Sequence, residues 1–247
     1  MFVLGIDTAT RVAGAAVVGE GRLIAERFIH NLKTHSQHII PMVSQVMEDA
    51  GLKPGDLHGI AVTGGPGSFT GLRIGMSVAK TMGLALNIPV IGISTLKVIA
   101  WNLYRTQGLI CPILDAKKHE VYTCLYRSND AGLEELFSPL ALGIDQLTDR
   151  ISGLEYEKVT FLGDGVPDYQ EIIREKLGAQ AIFGTIINNY PRAAAVAELG
   201  LAPMQEGRLS DATFLQPLYL RKSEAEVTWE QKHGDGVHRS ARLNHPQ

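Results

Sequence analysis

Nearly every position of residues 2–8 is apolar, as in a strand buried on both faces. Residues 12–18 are small and β-branched, and residues 23–30 follow the turn signal Gly19-Glu20-Gly21, so the chain opens with three strands. The period then changes. Ile39, Ile40, Val43, Val46, Met47 and Ala50 recur at helical spacing and predict a helix over residues 34–50, opened by the capping-box pair Thr34 and Gln37 and stopped at Gly51. Pro41 lies inside it, which predicts a kink or a tight first turn. A strand over 58–63, the glycine-rich run 64–71, a helix over 72–86, a strand over 89–93 and a helix over 95–104 complete the first half.

The same order returns. Residues 109–115, 119–127 and 133–138 read as three strands, 144–151 as a short helix, 158–163 as a strand, 167–177 as a helix opened by proline, and 193–204 as a last helix. Leu4-Gly5-Ile6-Asp7-Thr8 is echoed by Pro112-Ile113-Leu114-Asp115-Ala116, each an apolar strand ending in aspartate before a hairpin. Two α/β lobes of ββαβα type in tandem are expected, over residues 1–105 and 106–222, with the last helix free to return to the first lobe. From Glu224 the apolar pattern fades, so residues 223–247 read as a polar, loose tail. His233, His238 and His245 in it lack the spacing and partners of a metal site.

Composition narrows the class. The chain has 247 residues, 45% apolar and 20% charged, with a formal charge of −3. That balance argues against a polybasic nucleic-acid or membrane-surface binder. No window is apolar enough for a membrane span and no basic leader precedes the first strand, so a soluble cytoplasmic protein is expected. Cys111 and Cys124 would face each other across the hairpin if its turn is Lys117-Lys118; in a reducing cytosol they read as small core residues.

Two segments are candidates for chemistry. The turn after Asp7 carries Thr8 and Thr10; such a hairpin wraps a phosphate with backbone N–H groups while the carboxylate holds hydrated magnesium, or else the carboxylate satisfies its own turn amides. The run containing Gly65, Gly67 and Ser68, between a strand and a helix, has the geometry of an anion site without the Walker sequence. Arg73 near the helix start opposes the dipole by about 0.3–1 kcal/mol, so it is expected to answer a carboxylate or a phosphate. The matching Asp115 is followed by Ala116-Lys117-Lys118, with no glycine to admit a phosphate. His35 and His38 lack a third metal ligand, and Ser68 lacks a His–Asp partner and the nucleophile-elbow sequence.

Gly71, Gly75, Ala79 and Gly83 form a small-residue stripe on the second helix. Glycine inside a helix costs up to about 1 kcal/mol, so another backbone is expected close by, either the protein's own sheet or a second chain. The first helix spreads Ile39, Ile40, Met42, Val43, Val46 and Met47 over a wider arc than a single buried stripe needs. Together the two helices are expected to form a surface for helix-bundle association.

Leu4-Gly5-Ile6-Asp7-Thr8, residues 65–75, residues 114–122 and Pro217-Leu218-Tyr219-Leu220-Arg221 together resemble the TsaB (YeaZ) family, in order over residues 1–222. The resemblance implies an actin-like ATPase fold, a duplicated βββαβαβα unit built on ribonuclease-H-like sheets. It implies a role in forming threonylcarbamoyladenosine at position 37 of tRNA as a non-catalytic subunit. The implied partners are a catalytic paralogue, TsaD, paired through the two first-lobe helices, and an ATPase, TsaE. An exposed apolar helix pair also predicts a homodimer when the chain is alone, by twofold symmetry, and the scattered basic residues predict that tRNA is met only indirectly. No cofactor is required by the resemblance, with at most weak ATP or ADP and magnesium; Gly163-Asp164-Gly165 stands where an active relative holds adenine over a longer segment. The rival expectations are a small-molecule kinase or ATPase of the same superfamily using Asp7 and Asp115, and a glycoprotease-like hydrolase.

Overall fold

The computed structural model describes residues 1–30, 35–130, 132–207, 215–221 and 229. Thr34, the expected cap of the first helix, and all of the expected tail except Trp229 lie outside the described residues.

The first half folds as β1 (Phe2–Asp7), β2 (Val12–Gly19), β3 (Arg22–His30), α1 (His35–Asp49), β4 (Gly59–Gly65), α2 (Phe69–Leu86), β5 (Val90–Ser94) and α3 (Thr95–Trp101). The second half repeats it as β6 (Leu109–Asp115), β7 (Glu120–Asn129), β8 (Gly132–Gly143), α4 (Ile144–Ser152), β9 (Val159–Leu162), α5 (Val166–Leu177), β10 (Ala181–Phe183) and α6 (Ala193–Gln205). The sheet orders are β3-β2-β1-β4-β5 and β10-β9-β6-β7-β8. In each, the first three strands are antiparallel and the last two are parallel to the first, as helical crossovers require.

Strand alternation sorts the core. Leu4 and Ile6 of β1 pack with Ile39, Met42, Val43 and Val46 of α1, whereas Val3 packs with Ala195, Val196, Ala197 and Met204 of α6 on the opposite face. In the second sheet Cys111 and Ile113 face α4 and α5, and Ile110 and Leu114 face Leu96, Ile99 and Ala100 of α3. The last helix of each half therefore lies on the other half's sheet. Gly5 makes room for α6, because a Cβ there would stand 2.1 Å from the Ala193 carbonyl.

Two expectations are corrected here. The second helix starts at Phe69, three residues before Leu72, because the Ser68 hydroxyl accepts from the Gly71 N–H at 3.2 Å and caps it. The two cysteines do not face each other. The β6–β7 register pairs Ile110 with Tyr126 and Ile113 with Thr123, one residue off the expected pairing, and the slip puts the thiols on opposite faces. Burial pushes both thiols up to about 12. The expected outcome is no reaction of either thiol with a disulfide reagent at pH 7.5 until the protein is denatured, followed by titration of both.

Candidate functional site

Between the two halves lies a cavity of about 780 Å³. Its first wall is the β1–β2 turn, the end of β3 and the first turns of α1 and α2, contributing Arg11, His30, His35, Ser68 and Thr70. Its second wall is the β6–β7 turn and the start of α5, contributing Asp115, Lys117, Tyr122, Asp164 and Asp168. Of these, Ser68 and Asp115 are candidates for chemistry in the sequence, and His35 is set aside there for want of a third metal ligand. Arg11, His30 and Tyr122 carry no local signal, since only the closing of the two halves brings them together.

Asp7 is fully buried at the end of β1. Its Oδ1 accepts the Ala9 N–H at 3.1 Å, and its Oδ2 has no hydrogen-bond partner. Burial, only partly opposed by the Ala9, Thr63 and Thr8 hydrogen bonds, pushes its pKa up to about 7. The Thr10 hydroxyl accepts the Val12 N–H at 3.3 Å, and the Thr8 hydroxyl donates to the Gly71 carbonyl at 2.7 Å. The Ser68 N–H donates to the Ala9 carbonyl at 2.7 Å, and a Cβ on Gly67 would stand 2.3 Å from that oxygen. The glycine-rich segment thus lies directly on the turn that would have wrapped a phosphate.

The second turn is closed as well. Asp115 accepts the Lys117 N–H at 2.8 Å and pairs with the Lys117 ammonium. Burial raises the Asp115 carboxyl, but Lys117 outweighs it and holds the group below the usual carboxylate range. Lys117, Lys118 and His119 all have φ near +60°. Left-handed backbone costs about 1–2 kcal/mol per non-glycine residue, so this turn is held by its surroundings. The Asp164 carboxylate accepts the Asp115 N–H at 3.1 Å, and burial pushes its pKa up. Gly163 and Gly165 lie against the Ile113 carbonyl, and the Gly163 N–H donates to the Asn189 side chain at 3.1 Å.

A nucleotide with magnesium is what the duplicated fold implies for this cleft, and the residues present do not fit it. The orphan Oδ2 of Asp7 alone favours a cation. The Ala9 and Lys117 turn amides are taken by Asp7 and Asp115, the Ala9 carbonyl is covered by the Ser68 N–H, and Asp115 is neutralised by Lys117. Arg73 meets no carboxylate among the described residues. Its Nε donates to the Tyr219 hydroxyl at 3.0 Å, and its guanidinium lies 5.3 Å from the Phe69 ring centre.

The expected partner-facing residues are corrected too. Ile39, Met42, Val43 and Val46 are buried in the first lobe's own core. Gly71 and Gly75 lie against Thr8 and Gly83 against Val90, so with Ala79 the stripe serves the protein's own sheet. Gly65, at φ +110°, admits the Leu218 carbonyl. The outer sides of α1 and α2 are different. Among their exposed positions only Glu48, Asp49 and Arg73 are charged, and Ile40 and Leu84 are 61% and 65% exposed. Among the described residues no three His, Cys, Asp or Glu side chains come together as a metal site, and no helix is long and apolar enough to cross a membrane.

A family model described as "TsaD: tRNA N6-adenosine threonylcarbamoyltransferase" matches residues 24–229. The Bacillus subtilis "tRNA threonylcarbamoyladenosine biosynthesis protein TsaB" is 36% identical over 231 residues, spanning 93% of this chain and 98% of that one. The chain belongs to the TsaB family. The Escherichia coli protein of the same name is 30% identical over 239 residues, covering 95% of this chain and 99% of its own. The solved YeaZ of Pseudomonas aeruginosa superposes with a TM-score of 0.76 at 24% identity over 89% of this chain and 99% of that one. The two lobes of this TsaB-family chain form an α/β actin-like ATPase fold, each half supplying one βββαβαβα unit.

Proposed function

We propose that this chain acts in tRNA threonylcarbamoyladenosine biosynthesis as a non-catalytic subunit that docks on a TsaD-family catalytic subunit and holds it in its competent state. The observation that carries this reading is the contrast between the two surfaces. Both phosphate turns are closed by internal hydrogen bonds, while the outer sides of α1 and α2 form an exposed, charge-poor face around Ile40 and Leu84. Depletion of charge is what distinguishes the centre of a protein interface from ordinary surface. The names of the relatives and of the matching family model supply the pathway and the partner class. Activation requires that the chain bind one state of its partner more tightly than the other, since equal binding shifts nothing.

Reconstitution with TsaD- and TsaE-family proteins from the same organism tests this. Modified tRNA is expected to fall at least tenfold when the chain is omitted and to be restored by the wild-type protein. Ile40→Glu with Leu84→Glu is expected not to restore it, because two carboxylates would be buried unpaired on docking. Undiminished modification without the chain, or modification by the chain alone, overturns the reading.

A further inference from the structure

Residues 215–221, Leu-Gln-Pro-Leu-Tyr-Leu-Arg, belong to neither sheet and to no helix, yet they are tied down at both ends. Along the first lobe the Lys80 ammonium donates to the Leu215 carbonyl at 3.0 Å, and the Leu218 N–H donates to the Gly64 carbonyl at 2.7 Å. The Tyr219 ring stacks on Phe69 with centres 3.9 Å apart and planes 2° apart, and its hydroxyl accepts from Arg73. Phe69, Arg73 and Lys80 all belong to α2, so the segment runs along a flank of that helix. Two residues after Tyr219 the chain has crossed to the second lobe. There one Arg221 nitrogen donates to the Ala116 carbonyl at 3.0 Å and lies 2.8 Å from the Glu120 carboxylate.

Those two acceptors bracket the turn whose three residues Lys117, Lys118 and His119 are all left-handed. Backbone of this kind persists where its surroundings over-determine it. Within the turn, the Ala116 N–H donates to the Glu120 carbonyl and the Glu120 N–H to the Lys117 carbonyl. Arg221 therefore grips both ends of an unfavourable turn from a segment anchored on α2.

From this we infer that residues 215–221 form a strap that holds the Lys117–His119 turn in its left-handed form and makes that turn sensitive to events on α2. The strap and turn stand on the contacts above. The further consequence, that a subunit docked on the outer face of α1 and α2 alters the second-lobe turn, rests on the docking reading. The connection between them is one continuous element with bonds to both places.

Amide hydrogen exchange at Ala116 and Glu120 reads the turn directly. In the chain alone, Arg221→Ala is expected to speed exchange of both amides at least tenfold, with Arg221→Lys intermediate because it keeps one of the two contacts. The discriminating variant is Tyr219→Ala, whose contacts given above are all with the first lobe. The strap requires that it also speed the Ala116 and Glu120 amides. Exchange that rises only around Phe69, with the turn at wild-type rates, overturns the proposal. Should Tyr219→Ala not fold, Tyr219→Phe removes only the Arg73 bond and is expected to give a smaller rise, about threefold, at the same two amides; wild-type rates there count against the strap equally.

A last arm adds the TsaD-family subunit. Slower exchange along α1 and α2 with altered rates at Ala116 and Glu120, the latter lost in Arg221→Ala, supports the linkage. Slower exchange along the helices with no change at the wild-type turn overturns the linkage and leaves docking intact. No slowing along the helices overturns docking, and the strap is then judged by the Tyr219 variants.

Discussion

Asp7→Asn is expected to stabilise the protein at pH 8 by on the order of 4 kcal/mol relative to its effect at pH 4. The carboxyl is fully buried, one oxygen has no partner, and its pKa rises to about 7 from an ordinary 3.8. The folded state thus holds a proton that the unfolded state releases between about pH 4 and 7. Stability from this group is fully present below about pH 4 and is lost as pH rises through about 7, at about 1.4 kcal/mol per pH unit. Asparagine keeps an oxygen for the Ala9 N–H and carries no charge, so its contribution is flat. Asp115, held low by Lys117, has the opposite dependence, with stability lost on acidification. Urea unfolding of both proteins at half-unit intervals from pH 4 to 8.5 isolates Asp7 as their difference. A difference that does not change with pH means that the carboxylate is solvated or paired in solution.

The duplicated order of elements was legible because hydrophobic period switches between two and about 3.6 at each boundary, and because the strand-ending aspartates repeat. β10 was missed: three residues, Ala181–Phe183, are too few to show a period. β8 reads short in the sequence because Pro139 interrupts it, yet it continues to Gly143 at the edge of the sheet, where a proline is tolerated. Of the candidate site, the contact of Asp7 with its own turn amide at Ala9 was legible because it spans two residues. The Ser68 N–H bond to the Ala9 carbonyl was not, nor were the partners of Arg73 and Arg221, 146 and 105 residues away. The wide apolar arc of α1 and the small stripe of α2 mark surface that something must cover. Neither pattern says whether a sheet of the same chain or another chain does the covering.

That ambiguity makes Gly71 and Leu84 a decisive pair. Gly71→Leu is expected to cost about 3 kcal/mol or more, because its Cβ would stand 2.0 Å from the Thr8 carbonyl, a backbone atom with no rotamer to yield. The intrusion also displaces the Thr8 hydroxyl from the Gly71 carbonyl, leaving two buried polar groups to find new partners. Leu84→Glu, one residue beyond the stripe's last glycine but 65% exposed, is expected to change stability by no more than about 0.5 kcal/mol. In a binding assay the order reverses in meaning. Leu84→Glu should lose the TsaD-family subunit while remaining folded, whereas Gly71→Leu should lose it only in proportion to its unfolded fraction. A folded Gly71→Leu protein with wild-type urea midpoint would show that the stripe is not occupied by the protein's own β1–β2 turn. It would then be free to receive a second helix.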